Sequence, residues 1–283
     1  MKIGLGMAAI VTVVGLASAS AADFGVLAVS GASLKLQAME GSDAPAVSAS
    51  RAVGNNVRAK GVEWVSIPGG TFTMGVADLI NSFGVIHRVT LKPFKMSKTV
   101  VTVAQYAECV AKGKCTEPNT GGLCNWNVPG RGEHPVNCVS WWQARDYADF
   151  AGARLPSESE WEYAARSGGK DVKYPWGNNS PTKTLAVFRE DHTRPVCSRP
   201  AGNTAQGLCD MSGNVWQWMQ DHYDNYDTAV PADGSAYYGS GGLTRVSRGG
   251  SFFEEDARYL RTDYRGYNDS LQRYSHFGFR LAK

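Results

Sequence analysis

The sequence predicts an α+β domain of short strands and brief helices, with much of its second half given to irregular loops. Three observations lead there. Apolar residues fall in short runs around Pro and Gly between residues 62 and 97, and three helix starts carry the same capping chemistry. After Gly168 the chain turns to Gly, Asn, Asp, Trp and Tyr, with only brief apolar runs such as TLAVF, RVSRGG and FGFRLA.

Ahead of the domain, residues 1–22 read MKIGLGMAAIVTVVGLASASAA, with an early lysine, an apolar stretch from Ile3 to Leu16 and small residues at Ala19 and Ala21. This pattern reads as a cleaved secretory signal, since the run falls short of the roughly 20 apolar residues that a membrane span needs. Residues 23–60 are rich in Ala, Ser, Gly and Val without a sustained period and read as a flexible linker. The folded domain is expected over residues 61–283.

It opens with VEWVSIPGGTFTMG, where Val62, Trp64, Ile67, Phe72 and Met74 suggest two strands around a turn at Pro68, Gly69 and Gly70. HRVTLKPFKMS, from His87, reads as another strand pair. The helix starts follow. Each pairs a hydroxyl with a Gln or Glu three residues later, so that side chains and orphan amides satisfy one another: Thr102 with Gln105, Ser140 with Gln143, Ser157 with Glu160. The helices run through AQYAECVAK, WWQARDYADFA and ESEWEYAARS and stop at Gly113, Gly152 and Gly168.

Composition narrows the function classes. The 283 residues are 43% hydrophobic, enough for a full core, and the net charge of +3 is spread without a basic run, which argues against nucleic acid as a partner. Export as a secreted or periplasmic protein places the six cysteines in an oxidising compartment, where disulfides come before metal or catalysis. Many pairings are possible in principle. The spacing groups them as Cys109 with Cys115, Cys124 with Cys138 and Cys197 with Cys209, three local bridges of roughly 2 to 3 kcal/mol each. No segment after the signal is apolar enough to insert in a membrane.

The motifs IPGGTFTMG, RLPSESEWEYAAR, YPWGN, GLCDMSGNVWQW, RGGSF and FGFRLA, in that order, resemble the formylglycine-generating enzyme (sulfatase-modifying factor) family across residues 61–283. The resemblance implies a C-type lectin-like fold, with a small twisted antiparallel sheet, short flanking helices and extensive loops. In the catalytic members, copper and two cysteines placed three and eight residues after the serine of the GGS motif oxidise a sulfatase cysteine to formylglycine. Here Glu254 and Tyr259 stand at those positions after Ser251, and no cysteine follows Cys209. Copper is therefore not expected, because soft Cu(I) is held by sulfur.

A structural calcium ion is implied at Asp210, Gly213, Val215 and Gln217, with Gln217 standing where the family has a glutamate. A second family calcium site falls near Val187, which has no side-chain oxygen, and is not carried over. The pocket expected by resemblance and position comprises Trp216, Ser251, Arg258, Tyr264 and Arg265. The run Glu254, Glu255, Asp256 reads either as an acid/base cluster or as a solvated turn paired to Arg258, Arg261 and Arg265.

Of the histidines, His87, His134, His192 and His222 read as surface or packed residues, while His276, just before FGFR, is kept as a site candidate. Most tryptophans read as core. Tyr223, Tyr226, Tyr237, Tyr238, Tyr264, Tyr267 and Tyr274 lie among Asn, Asp, Gly and Ser, a composition suited to a binding surface. The expected function is that of a binding or accessory protein without formylglycine-generating activity, whose partner is an unidentified protein, peptide or small-molecule ligand. The alternative is an oxidoreductase whose chemistry has moved to Glu254, Glu255, Tyr259 and His276.

Overall fold

The computed structural model describes residues 61–75, 86–224, 231–239 and 241–283. The signal over 1–22, the linker over 23–60 and Tyr226 lie outside the described residues. Four strands come first: β1 Trp64–Ile67, β2 Gly70–Met74, β3 His87–Leu91 and β4 Phe94–Ser97. The strand positions agree with the sequence reading, but the pairing within each segment does not. β1 pairs with β4 and β2 with β3, both antiparallel. Ile67 faces Phe94 and Gly70 faces Leu91, so the four strands form one long ribbon kinked at Pro68–Gly69 and Lys92–Pro93. Close approach enforces the kink: a Cβ on Gly69 would lie 2.3 Å from the Leu91 carbonyl oxygen.

The helices are α1 Val103–Ala111, α2 Trp141–Phe150 and α3 Glu158–Ala165, and each of the three expected capping boxes is formed in both directions. Every residue of α3 is buried. Its Trp161 and Tyr163 pack on the ribbon through Phe72, Met74 and Met96, whereas α1 and α2 pack through Tyr106 and Tyr147, whose rings stack 5.5 Å apart. Among the described residues no helix is long and apolar enough to cross a membrane.

A four-stranded sheet completes the fold: β5 Trp216–His222, β6 Thr244–Arg248, β7 Arg265–Asp269 and β8 Phe277–Gly278, in the order β7-β6-β5-β8. β8 runs parallel to β5, so this sheet is mixed where an antiparallel one was expected. All six cysteines are bridged in the expected pairs, Cys109–Cys115, Cys124–Cys138 and Cys197–Cys209.

Two buried polar arrangements hold the loops. Glu158 and Glu162, four apart on α3, share one helix face and receive Arg248 of β6 at 2.7 Å each. Arg265 joins Glu158 at 2.9 Å, and Arg166 joins Glu162 at 2.9 Å. Arg261 meets Asp263 through two bonds of 2.8 Å. In the second arrangement, His134 Nδ1 meets Arg131 Nη1 at 3.1 Å and Thr193 Oγ1 at 2.9 Å. A guanidinium only donates, so Nδ1 accepts and the ring is neutral.

Removing one partner of a buried ion pair leaves a charge without compensation. The Arg248→Ala variant is expected to lose about 3 to 5 kcal/mol of stability, read as a lower urea midpoint. An unchanged midpoint would show that the cluster does not hold the fold. Burial, followed by the nearby Arg131, pulls His134 down to about 4. A base with a depressed folded pKa contributes stability above its unfolded value of about 6.5 and loses it as pH falls through that window. The melting temperature should therefore drop between about pH 6.5 and 4 and drop less steeply in His134→Gln; parallel pH profiles would refute the assignment.

Candidate functional site

The RGGSF turn is built by the ends of β6 and by α3. Arg248 is tied to α3, and its Nη1 also donates to the carbonyls of Thr262 and Tyr264 at 3.0 and 3.2 Å. Beyond it Gly249 and Gly250 take φ of +98° and +68°. A Cβ at Gly250 would lie 2.8 Å from the Tyr259 carbonyl oxygen, so the two glycines admit both the reversal and the close approach. The turn is stitched to the preceding loop: Gly213 N donates to Gly249 O at 2.8 Å, and Phe252 N donates to Asn214 O at 2.9 Å.

This places Ser251 fully buried and brings Glu254 to the N–H edge of Trp216. Trp216 Nε1 donates to Glu254 Oε1 at 2.7 Å, and Ser251 Oγ donates to the same oxygen at 3.1 Å. Burial is the main influence on Glu254 and pushes its carboxyl up; the bonds from Trp216 and Ser251 pull it down, and Asp256 adds a smaller upward push. Trp216 touches Tyr259 and Tyr264 with ring centroids 6.3 and 6.0 Å away, and those two tyrosines meet edge to face at 4.8 Å. Burial and then Tyr259 push Tyr264 up to about 12, so it stays a neutral phenol.

His276 lies on the neighbouring edge, where its carbonyl accepts from Trp216 N at 2.8 Å. Its ring stacks on Tyr274 at 5.4 Å and faces Phe253 at 6.2 Å. Burial holds the imidazole below its ordinary value, so it is uncharged at neutral pH. Phe253, 63% exposed directly beside the buried Phe252, escaped the sequence reading. The doubled phenylalanine after GGS was the available signal, since one ring of an adjacent pair in a turn can pack inward while the other is left outside.

The other candidates are not brought into this group. Glu255 points outward with its side chain 86% exposed, and its carbonyl is held by Arg189. Arg258 is taken by Asp256 at 2.7 Å. Arg265, expected at the pocket, belongs to the buried ionic cluster and lies over Tyr223. The reason is reach: Arg265 finds Glu158, and among the described residues the acidic run forms ion pairs only with Arg258 and Arg189. Two cavities, one of about 450 Å³ beside Arg154, Glu160 and Tyr238 and one of about 690 Å³ beside Ile67, Phe94 and Lys283, do not border Glu254.

The loop from Asp210 to Gln217 is closed by protein groups. Gln217 Oε1 accepts from Arg280 Nε at 2.6 Å and from Trp161 Nε1 at 2.8 Å, which uses both of its lone pairs. Its Nε2 donates to the Asp210 carbonyl at 2.8 Å. Asp210 Oδ2 accepts from Cys197 N at 2.8 Å; burial pushes that carboxyl up against the pull of the Cys197 amide and of Arg280. Gly213 O already accepts from Val215 N at 3.0 Å. With a buried guanidinium against it and both lone pairs of Oε1 used, Gln217 does not serve a calcium ion in this arrangement, which leaves Asp210 and the Gly213 and Val215 carbonyls short of the expected set.

Residues 49–283 match the family described as the sulfatase-modifying factor enzyme 1-like domain. The serine/threonine-protein kinase Pkn1 of Chlamydia trachomatis is 34% identical over 241 residues, covering 78% of this chain but only 38% of the kinase's length. The formylglycine-generating enzyme of Streptomyces coelicolor is 32% identical over 291 residues, covering 77% of this chain and 88% of that enzyme. Among solved structures, PvdO from Pseudomonas aeruginosa is 28% identical with a TM-score of 0.67, over 78% of this chain and 94% of its own.

The bonding of Gln217 generates a prediction. The melting temperature should be the same in EGTA and in millimolar calcium, because no ion is needed to satisfy the loop. A fall in EGTA that calcium reverses would show that Gln217 exchanges Arg280 for the ion.

Proposed function

The chain belongs to the sulfatase-modifying factor family, and from that premise we propose that it is an exported binding or accessory protein that engages its ligand at Trp216 and Glu254 and does not generate formylglycine. The observation that carries the reading is the chemistry at the end of the GGS turn. Glu254 accepts the Trp216 indole N–H at the position where the catalytic members have a thiol, and every cysteine of the chain is in a disulfide. A carboxylate is a hard acceptor without the nucleophilicity of a thiolate or its affinity for copper. Three disulfides in one small domain are what an oxidising compartment preserves, which supports export.

A second reading is favoured by one specific feature. A carboxyl pushed up by burial is better suited to accept a proton near neutral pH than an ordinary glutamate. An oxidoreductase would then use Glu254 as base beside Tyr259 and His276, without Glu255, which faces solvent.

The test is to incubate the mature protein with copper, oxygen and a sulfatase-motif peptide and to follow the peptide by mass spectrometry. The expected result is an unchanged thiol. Catalytic appearance of the aldehyde would end the reading. Export is checked by the mass of the N-terminus and by non-reducing peptide mapping, where retention of residues 1–22 would contradict it.

A further inference from the structure

Most well-buried carboxylates of this domain meet arginine, and Asp210 and Asp221, which form no ion pair among the described residues, accept backbone amide hydrogens instead. Glu158 and Glu162 take Arg248, Glu160 takes Arg154 at 2.6 Å, and Asp263 takes Arg261 at 2.8 Å. Glu190 is held by Arg194 and Arg199. Glu254 breaks the pattern. Among the described residues no Lys, Arg or His forms an ion pair with it, and the one charge that acts on it appreciably is the negative Asp256. Its Oε1 is occupied by Trp216 and Ser251, while its Oε2 accepts no hydrogen bond from any described residue.

A carboxylate drawn out of water without a cation carries a desolvation cost that a cation arriving beside it offsets. The surroundings of Glu254 suit such an arrival. The rings of Trp216, Tyr259 and Tyr264 gather around the site without bringing a positive charge to it, and burial holds the His276 imidazole below its ordinary value. Arg258, which could compete, is engaged by Asp256. On the outer side Phe253, His276 and Tyr274 form a row of rings, with Phe253 and Tyr274 63% and 41% exposed.

We propose that this site binds a protonated primary or secondary amine carried on a flat apolar body, its N–H donating to Glu254 Oε2 and its body lying against Phe253, His276 and Tyr274. The inference rests on the binding reading above and names the ligand's chemistry. Charge attracts the amine to the carboxylate, and the N–H distinguishes it from a quaternary ammonium, which has charge but nothing to donate.

The experiment titrates the full mature protein with benzylammonium, benzyl alcohol and benzyltrimethylammonium and follows the Trp216 indole N–H by NMR, the signal being assigned with Trp216→Phe. Benzylammonium should bind tighter than either of the others by about tenfold, the effect of one charge-assisted hydrogen bond. Glu254→Gln should abolish that preference. Phe253→Ala, which removes an exposed ring without opening the core, should weaken benzylammonium and benzyl alcohol alike. Equal binding of amine and alcohol by the wild type overturns the proposal, as does a preference that survives Glu254→Gln. Binding of the quaternary ion as tight as that of the amine overturns the assigned N–H bond. Unchanged affinities in Phe253→Ala overturn the placement of the body. Each of these outcomes leaves the binding reading standing, whereas turnover of the sulfatase peptide removes that reading and says nothing of amine preference.

Discussion

Two carboxylates four residues apart on a fully buried helix set the terms for the rest of this fold. Glu158 and Glu162 lie in the interior with essentially no exposure, a position that ionised groups keep only when oppositely charged partners surround them. Arg248 meets both, and Arg265 and Arg166 supply the remaining charge. Such a cluster contributes less to net stability than to register, because any slip of β6 against α3 leaves buried charge unpaired. Arg248 is the last residue of β6, so the point at which the chain leaves the sheet is fixed by α3.

From that fixed point the loop-rich half inherits its shape. Gly249 and Gly250 reverse the chain, Gly213 and Asn214 bond to it, and Ser251 is delivered to the Glu254 carboxylate that Trp216 also holds. A second buried guanidinium, Arg280, gathers what the first does not reach. It donates to Gln217 Oε1, to the Cys209 carbonyl at 2.6 Å and to the Ser97 carbonyl at 3.0 Å. Three segments distant in sequence are thus joined by one side chain, a role that a planar five-donor group fills better than an ammonium. Irregular backbone needs such partners, since its polar groups have no ladder to satisfy them.

What was legible in the sequence was local. The capping boxes at Thr102, Ser140 and Ser157 involve groups three residues apart and are all present, and the disulfides join near neighbours. Pairings decided at long range were not legible. A Pro-Gly-Gly stretch signals a change of direction but does not distinguish a hairpin from a kinked ribbon; the contact of Gly69 with Leu91 decides that. In the acidic run, Arg258 pairs with its neighbour Asp256, while Arg261 turns to Asp263 and Arg265 to Glu158, 107 positions away. At the site, the resemblance located Ser251, Glu254, Tyr259 and Trp216, and the structure groups them. Gln217 escaped that logic because its partner Arg280 lies in a different motif.

The same ionic order gives Glu254 its meaning. In a domain that holds its interior carboxylates with arginine or with backbone amides, a half-buried carboxylate bonded among the described residues only to an indole and a hydroxyl is a polarity left open toward one side. The Trp216 and Ser251 donors orient Glu254 Oε1 and so leave the direction of Oε2 defined, as a positioned acceptor must be. On the binding reading proposed above, a carboxylate in place of a soft thiol suits the turn to hydrogen-bond donors and positive charge rather than to a soft metal, while the glycines and arginines that build the turn need no alteration. A scaffold whose shape depends on buried guanidinium groups can therefore exchange the chemistry at residues 254 and 259 independently of its fold.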